Sequence, residues 1–195
     1  MVTIKTLNRE EAAPYMEDLA RLRIAVFREW PYLYEGDMPY EMGYLDTFLK
    51  AQDSFMVVVL DGEEVVGAST GLPLTEETPN IQQPFVEAGL PLGDFFYFGE
   101  SVLLPSYRGQ GIGKAFFRLR ESFARSLGFP KLTFCAVARP EEHPLRPAGY
   151  QSLDVFWERC GFRPSELHCY ISWQEIGEAA ASPKMLRFWS KTLQA

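Results

Sequence analysis

The sequence predicts an α/β domain of the α+β type, a mixed sheet with helices on its faces. Three observations predict it. Strand-like segments follow one another directly in the first half of the chain. Strand and helix patterns alternate in the second half, and no repeat or linker divides the 195 residues. One hydrophobic core, and therefore a single domain over residues 1–195, is the expectation at that length. With 47% hydrophobic and 14% aromatic residues against 23% charged, the composition is that of a folded globular chain.

The elements follow in order. Residues 2–7 (VTIKTL) alternate apolar and polar, as a half-buried strand does. From Glu10 to Arg28, Met16, Leu19, Leu22, Ala25 and Val26 recur at spacings of three and four, which predicts a helix that Pro31 interrupts. Trp30 to Glu41, aromatic and acidic with two prolines, reads as a loop, and 43–52 as a short helix. Ser54–Leu60, Asp61-Gly62 and the run from Val65 give a hairpin. Residues 75–93 read as an excursion with a helical turn at 84–88.

Asp94 to Leu104 is a long aromatic and aliphatic strand in which Gly99 marks a bulge. Over 111–127, Ile112, Phe116, Leu119, Phe123 and Leu127 share one helical face, and Gly128 closes the helix. Residues 131–138 are a strand, 139–151 a proline-rich loop, 153–160 a short helix and 168–176 a last strand. Ser182-Pro183 reads as N-cap and first residue of a terminal helix, so 177–195 is expected to be a helical extension. Its stripe Met185, Phe188, Trp189 and Leu193 offers a face for the same chain or for a second copy in a homodimer.

Charge and cysteine usage narrow the class. Nineteen Lys and Arg against 26 Asp and Glu leave a net charge of −7. That balance is poorly matched to nucleic acid, whose affinity comes from phosphate neutralisation, and suits an amine partner better. The longest aliphatic and aromatic run, Phe55–Leu60, is far too short for a bilayer, so no membrane partner is expected. The N-terminus has the layout of neither a signal peptide nor a presequence. Cys135, Cys160 and Cys169 lack CxxC spacing, which argues against a disulfide scaffold and a metal site and favours a reducing, cytoplasmic setting.

The informative segment is Arg108-Gly-Gln-Gly-Ile-Gly-Lys114, between a buried strand and an amphipathic helix. Glycines let the backbone approach a ligand, and the free N–H groups at a helix start attract an anion. A Walker A loop is excluded, because Arg108 stands where its first glycine belongs and Ala115 follows Lys114. The Rossmann pattern fails at Lys114. From the glycines alone, a tight turn that binds nothing is an equal alternative.

With its flanks, Leu103-Leu-Pro-Ser-Tyr-Arg-Gly-Gln-Gly-Ile-Gly-Lys114 resembles motif A of the GNAT N-acetyltransferase superfamily, Arg/Gln-x-x-Gly-x-Gly/Ala. The element order is similar as well, as far as the Gly161-Phe162 pair that opens the late strands, so the resemblance spans residues 2–176. It implies a mostly antiparallel central sheet of about six or seven strands flanked by helices, and acetyl-CoA as co-substrate. It further implies that the backbone of Arg108, Gly109, Gln110, Gly111, Ile112, Gly113 and Lys114 holds the pyrophosphate, with Arg108 and Lys114 as charge partners. Backbone groups around Val102, Leu103 and Leu104 would pair with the pantetheine arm, and an oxyanion would sit near one of these amides.

The chemistry needs a base, because a free alkyl ammonium has a pKa near 10. Glu100, a carboxylate inside the apolar run YFGESVLL on the motif-A strand, is the candidate; an ion pair or a polar residue at the sheet end is the alternative. The family's frequent Tyr, five residues before the Phe of the Gly-Phe pair, is here Trp157, which cannot protonate a thiolate and is expected to pack against the cofactor arm or the core. Tyr150 is taken as the substitute acid, with Tyr170, His143 and Cys135 as other donors and unassisted departure of the thiolate as the alternative. Cys135, mid-strand, reads by default as a buried small hydrophobe, and His168 as structural. The resemblance implies an acceptor site in the segment Trp30 to Glu41, where Tyr32 and Tyr34 with Glu35, Asp37 and Glu41 would supply aromatic faces and carboxylates for a cationic amine, an ordered loop over the core being the alternative; His143 is expected to border the same cleft.

The expected function is acetyl transfer from acetyl-CoA to a primary amine of a small molecule or peptide within a ternary complex, without metal. The missing family Tyr keeps a non-catalytic CoA- or acyl-CoA-binding module open. A nucleotide-dependent phosphotransferase is the weakest alternative, since the Walker Lys-Ser/Thr pair is absent.

Overall fold

The computed structural model describes residues 1–194. Its strands are β1 (Val2–Asn8), β2 (Phe55–Asp61), β3 (Glu64–Pro73), β4 (Phe95–Leu103), β5 (Lys131–Val137), β6 (Arg163–Trp173) and β7 (Ser182–Thr192). They form one sheet in the order β1-β2-β3-β4-β5-β7-β6. Every neighbouring pair is antiparallel except β4 with β5, which run parallel. The helices are α1 (Arg9–Ala12), α2 (Met16–Phe27), α3 (Met38–Lys50), α4 (Pro79–Glu87), α5 (Ile112–Ser126) and α6 (Asp154–Arg159).

Strand β2 shows why the sheet is a two-sided core. Its run FMVVVL is apolar throughout, because alternate side chains enter opposite faces and both faces are covered. Phe55, Val57 and Val59 pack with Phe116, Phe117 and Ile112 of α5. Met56, Val58 and Leu60 pack with Leu19 and Leu22 of α2 and Leu45 and Phe48 of α3. Each such side chain, once buried, contributes about 1.5–3 kcal/mol.

Several boundaries differ from the sequence expectation: the strand expected over 168–176 is Arg163–Trp173 and the helical turn expected over 84–88 is a helix over Pro79–Glu87, and two further differences have local reasons. The first helical region is broken by a short 3₁₀ turn at Ala13–Tyr15, where Pro14 lacks the N–H that a continuous helix would use. Helix α3 starts at Met38, inside the segment expected to be loop. The Oδ1 of Asp37 accepts the Tyr40 amide at 3.0 Å, and Pro39 sits in the first turn, where no N–H is needed.

The C-terminal helical extension is corrected outright: Ser182–Thr192 is a strand, inserted between β5 and β6. Met185, Phe188 and Trp189 fit a helical spacing, but the real period is two, with Lys184, Leu186 and Phe188 turned inward. The pattern was hidden because one inward residue is a lysine. Its Nζ donates to Trp173 O at 3.3 Å and pairs with Glu178 at 2.9 Å, which satisfies the charge. Phe188, Trp189 and Leu193 of the expected stripe are buried in the chain's own core, while Met185 is 40% exposed.

Two irregularities at the middle of the sheet position the site. Between β3 and β4 the register passes from Ser69↔Ser101 to Gly71↔Phe98, so Gly99 and Glu100 together face Thr70. This is the β-bulge that Gly99 predicted, and a Cβ there would collide with Thr70 Oγ1. Between β4 and β5 only Phe95–Tyr97 pair with Lys131–Thr133. Beyond Tyr97 the two strands part, while β5 stays paired with β7 along its whole length.

Candidate active site

The loop from β4 into α5 leaves its amides open. Gly109 and Gly111 have φ of 77° and 84°, left-handed conformations that other residues adopt only under strain, and a Cβ at either would meet nothing within 4 Å. Gly111 is the N-cap of α5, and no side chain caps the helix. The first return bond runs from Ala115 N to Gly111 O at 3.1 Å. The preceding amides therefore point out of the helix start, where its dipole is positive.

Lys114 is exposed and, among the described residues, forms no ion pair. The Arg108 side chain turns back on the protein, donating to Leu103 O at 3.1 Å and pairing with Glu29 at 2.9 Å. Gln110 donates to Ser106 O at 3.1 Å. These two side chains brace the loop. Ile112 is buried in the core, and Gly113 lies under Phe156, 3.5 Å from where its Cβ would be. Val102 is fully buried, with Leu103 and Leu104 partly buried beside it.

Glu100 lies in the bulge, 6% exposed, with both oxygens engaged. Oε1 accepts from Thr70 Oγ1 at 2.8 Å, and Oε2 pairs with Arg23 of α2. Arg23 also pairs with Glu41 of α3, and its guanidinium stands over the rings of Tyr44 (4.3 Å) and Phe27 (5.1 Å). Burial opposes the charge on Arg23, but Glu100, Tyr44 and Glu41 outweigh it and raise its pKa. The second oxygen of Glu41 is buried without a partner. Two carboxylates to one guanidinium leave the cluster one negative charge in excess.

Behind the bulge, Arg120 of α5 is fully buried. It donates to Thr70 O (3.0 Å), Glu100 O (3.3 Å), Phe116 O (3.2 Å) and Ser101 Oγ (2.7 Å). Burial lowers its pKa to about 9, which leaves it charged at neutral pH. The helix that opens the anion-binding loop is thus tied to the bulge that presents Glu100.

A cavity of about 90 Å³ opens where β4 and β5 part. Gly99, Glu100 and Tyr97 come from β4 and Cys135 from β5; Tyr32, Tyr34, Tyr40, Tyr44 and Trp173 make the walls, with Arg23 beside Glu100. Burial raises the phenol pKa of Tyr32, Tyr34, Tyr44 and Tyr97, so these side chains stay protonated. The thiol of Cys135 lies 3.1 Å from Tyr97 Oη, and its neighbour Cys169 and burial push its pKa well up. It is a thiol at neutral pH, not a nucleophilic thiolate.

Of the residues expected at the acceptor site, Tyr32 and Tyr34 line this cavity. Glu35 does not; it is exposed and pairs with Arg28 at 2.9 Å. Asp37 is occupied in capping α3. His143 and Tyr150 converge on Trp30, with ring centroids 4.8 and 6.0 Å from it, outside the cavity lining. Burial and Asp154 raise the Tyr150 phenol. Trp157 packs at 5.1 Å on both Phe134 and Trp189, which is the core alternative of its expected packing.

Sequence reasoning missed Arg23, Tyr44, Tyr97, Arg120 and Glu77. Two carried a signal. Arg23 follows Leu19 by four residues and Arg120 follows Phe116 by four, so each puts a charge on an apolar helical stripe. Glu77 sits in the excursion after β3 and borders a second, smaller cavity of about 10 Å³ with Tyr44, Thr70, Gly99 and Glu100.

The chain is similar throughout to solved acetyltransferase structures. A ribosomal-protein-alanine N-acetyltransferase from Brucella melitensis superposes with a TM-score of 0.62 at 15% identity, covering 98% of this chain and 99% of that one. An IAA acetyltransferase from Bacillus cereus gives 0.54 at 15%, covering 99% and 100%. The PaiA N-acetyltransferase from Thermoplasma acidophilum, solved in complex with coenzyme A, gives 0.56 at 12%, covering 99% of each. At these identities the likeness speaks for the fold. No curated protein matches the sequence. The model of the acetyltransferase (GNAT) family matches residues 19–162, well over half of the chain. Together with the open amides before α5 and the parted strands, this assigns the family: the chain belongs to the GNAT acetyltransferases.

Proposed function

We propose that the protein transfers an acetyl group from acetyl-CoA to the primary amine of a small molecule or peptide, by direct attack within a ternary complex. One observation carries this reading: the tyrosine-walled cavity that holds Glu100 opens at the point where β4 leaves β5, on the strand that leads into the uncapped turn before α5. Acetyl-CoA supplies the activated acetyl group. The residues present fit it, because nothing stands within 4 Å of a Cβ built at Gly109 or Gly111 and β4 beyond Tyr97 has a free edge toward β5.

In this proposal the amides from Gly109 to Lys114 and the Lys114 ammonium hold the diphosphate; the Arg108 amide, expected to join them, is instead spent on Pro105 O at 3.1 Å. The backbone of Val102, Leu103 and Leu104 lies along the thioester arm, and Trp157 backs it from the core. Tyr32 and Tyr34 enclose the amine, whose positive charge offsets the excess negative charge of the Arg23 cluster. Glu100 is the carboxylate that meets the amine and draws its proton. Tyr150, kept protonated, gives a proton to the departing thiolate. Glu35, Asp37 and His143 lie outside the cavity lining and take no part in this proposal. The apolar walls favour a compact monoamine over a polycation.

The test is release of free thiol from acetyl-CoA in the presence of a panel of amines (2-phenylethylamine, spermidine, lysine and an alanyl peptide). Amine-dependent release supports the reading, and its absence with every amine counts against it. Glu100→Gln is expected to lower kcat at least tenfold while acetyl-CoA affinity holds; unchanged turnover would remove Glu100 from the chemistry. Trp157 in place of the family's frequent Tyr favours one second reading, a CoA-binding module without turnover. Tight acetyl-CoA binding with no thiol release would select it.

A further inference from the structure

We propose that Glu77 is the terminal proton acceptor of this site, receiving the amine proton from Glu100 through one water held between the two carboxylates. The inference rests on the acetyl-transfer reading and adds to it a residue on the opposite wall. Three observations carry it.

The first is placement. The cavity of about 10 Å³ bordered by Tyr44, Thr70, Glu77, Gly99 and Glu100 has room for about one water molecule. Tyr44, Gly99 and Glu100 also line the larger tyrosine cavity, so the two spaces share a wall. A proton given to Glu100 in the larger cavity therefore has a polar route to Glu77.

The second is the difference in how the two carboxylates are held. Both oxygens of Glu100 are engaged, by Thr70 and by the Arg23 guanidinium. Glu77 has no cationic partner among the described residues. Its Oε2 accepts only from its neighbour Thr78, the amide at 2.8 Å and the hydroxyl at 3.5 Å, and its Oε1 accepts no hydrogen bond among the described residues.

The third is electrostatic and agrees with the geometry. Burial first, and the charge of Glu100 second, push the Glu77 pKa up to about 7, while the Thr78 bonds and Arg23 oppose the shift. The groups that face it are Glu100 and Tyr97 from β4, Arg23 from α2, Tyr44 from α3 and Cys135 from β5. A buried carboxyl that holds its proton up to neutral pH, across a one-water cavity from Glu100, is placed to take up a proton released there.

The step balances. The ammonium N–H bond breaks, its electron pair stays on nitrogen, and the proton passes to Glu100 and then through the water to Glu77 Oε1. The nitrogen lone pair forms the amide bond, the second N–H bond breaks as that nitrogen becomes an amide, and the C–S bond breaks with its electrons on sulfur, which takes up a proton equivalent to the second one shed by nitrogen. Ammonium and thioester become amide, thiol and one proton, which Glu77 returns to solvent.

The experiment compares wild type, Glu77→Gln and Glu77→Asp, using acetyl-CoA with 2-phenylethylamine as the acceptor probe. Wild-type kcat/KM should fall on the acid side with an inflection near 7. Glu77→Gln should lower kcat/KM at pH 7 by roughly 100-fold and abolish that inflection, with acetyl-CoA affinity unchanged in calorimetry. Glu77→Asp should restore the inflection at a displaced pH. In parallel, ¹³C NMR of the glutamate carboxyls in the unliganded protein should show one group titrating at about 7 that is missing from Glu77→Gln. Wild-type-like turnover in Glu77→Gln overturns the proposal. So does an NMR titration in which every glutamate falls below about 5.5, whether or not any amine is turned over. Failure of acetyl-CoA to bind would instead count against the acetyl-transfer reading and leaves the carboxyl titration to be judged separately.

Discussion

Arg120 joins two halves of the site. Its guanidinium satisfies the carbonyls that the bulge frees at Thr70 and Glu100, and it reaches them from the helix whose start is open to a diphosphate. Arg120→Met removes four hydrogen bonds while keeping the stem, leaving buried carbonyls without donors. We expect a loss of roughly 2–4 kcal/mol, read as a Tm lower by roughly 5–15 °C for a chain of this size. A shift within about 2 °C would mean that the bulge stands without it. Glu77 gives a second prediction, in which the sign is set by its raised pKa. The folded state holds this proton more tightly than the unfolded chain, so the stabilisation it lends is complete below about 4.5 and is lost as pH rises through about 7. Glu77→Gln should therefore raise Tm at pH 8 relative to wild type and change it little at pH 4, measured by thermal melts at the two pH values. Of these residues only Glu100 stood out in the sequence, as a carboxylate in an apolar run. Arg23 and Arg120 were hidden because a charge on an apolar stripe is visible, but its partners are far away in the chain. Glu77 was hidden because a glutamate in a loop is ordinarily solvated, and only the tertiary fold lays it beside Glu100.

The glycine-rich turn and the terminal strand show what kind of element a linear pattern reveals. The turn was legible because its function depends on local conformation: left-handed backbone at Gly109 and Gly111, followed at once by an amphipathic helix. Gly111→Val should cut acetyl-CoA affinity at least tenfold in calorimetry, since a β-branched residue at a φ of 84° distorts the turn; unaltered affinity would show that the turn does not touch the ligand. Strand β7 was not legible, because Lys184 broke its period of two and Ser182-Pro183 imitated a helix start. Its position makes it indispensable. Among the described residues β6 joins the sheet only through β7, so a chain ending at residue 181 should lose β6 from the sheet and expose Phe134 and Leu132. Limited proteolysis should then cut within β6 and β5 under conditions in which the full chain resists. Survival of the shortened chain as a protease-resistant, cooperatively melting species would contradict this.

The molecule as a whole is organised around one parting of strands. The sheet is continuous from β1 to β6, yet its parallel pair holds together for three residues and then separates. The tyrosine cavity sits at that separation, with the open turn at the end of the same strand. The order of elements as far as β6 was readable from hydrophobic periodicity, and the family from the glycine turn with its flanks. The separation was not, since nothing in β4 or β5 alone says where pairing stops. A ligand filling this gap would bind only the folded state, so acetyl-CoA at 100 times its Kd should stabilise the protein by about 2.7 kcal/mol.

The most direct test is isothermal titration of the unmodified protein with acetyl-CoA. One saturable site per chain is predicted, weakened in Gly111→Val and unaffected in Glu77→Gln. Absence of binding heat at millimolar acetyl-CoA, across temperatures chosen to avoid a zero enthalpy, would contradict the claim that the amides before α5 are shaped for a diphosphate ester.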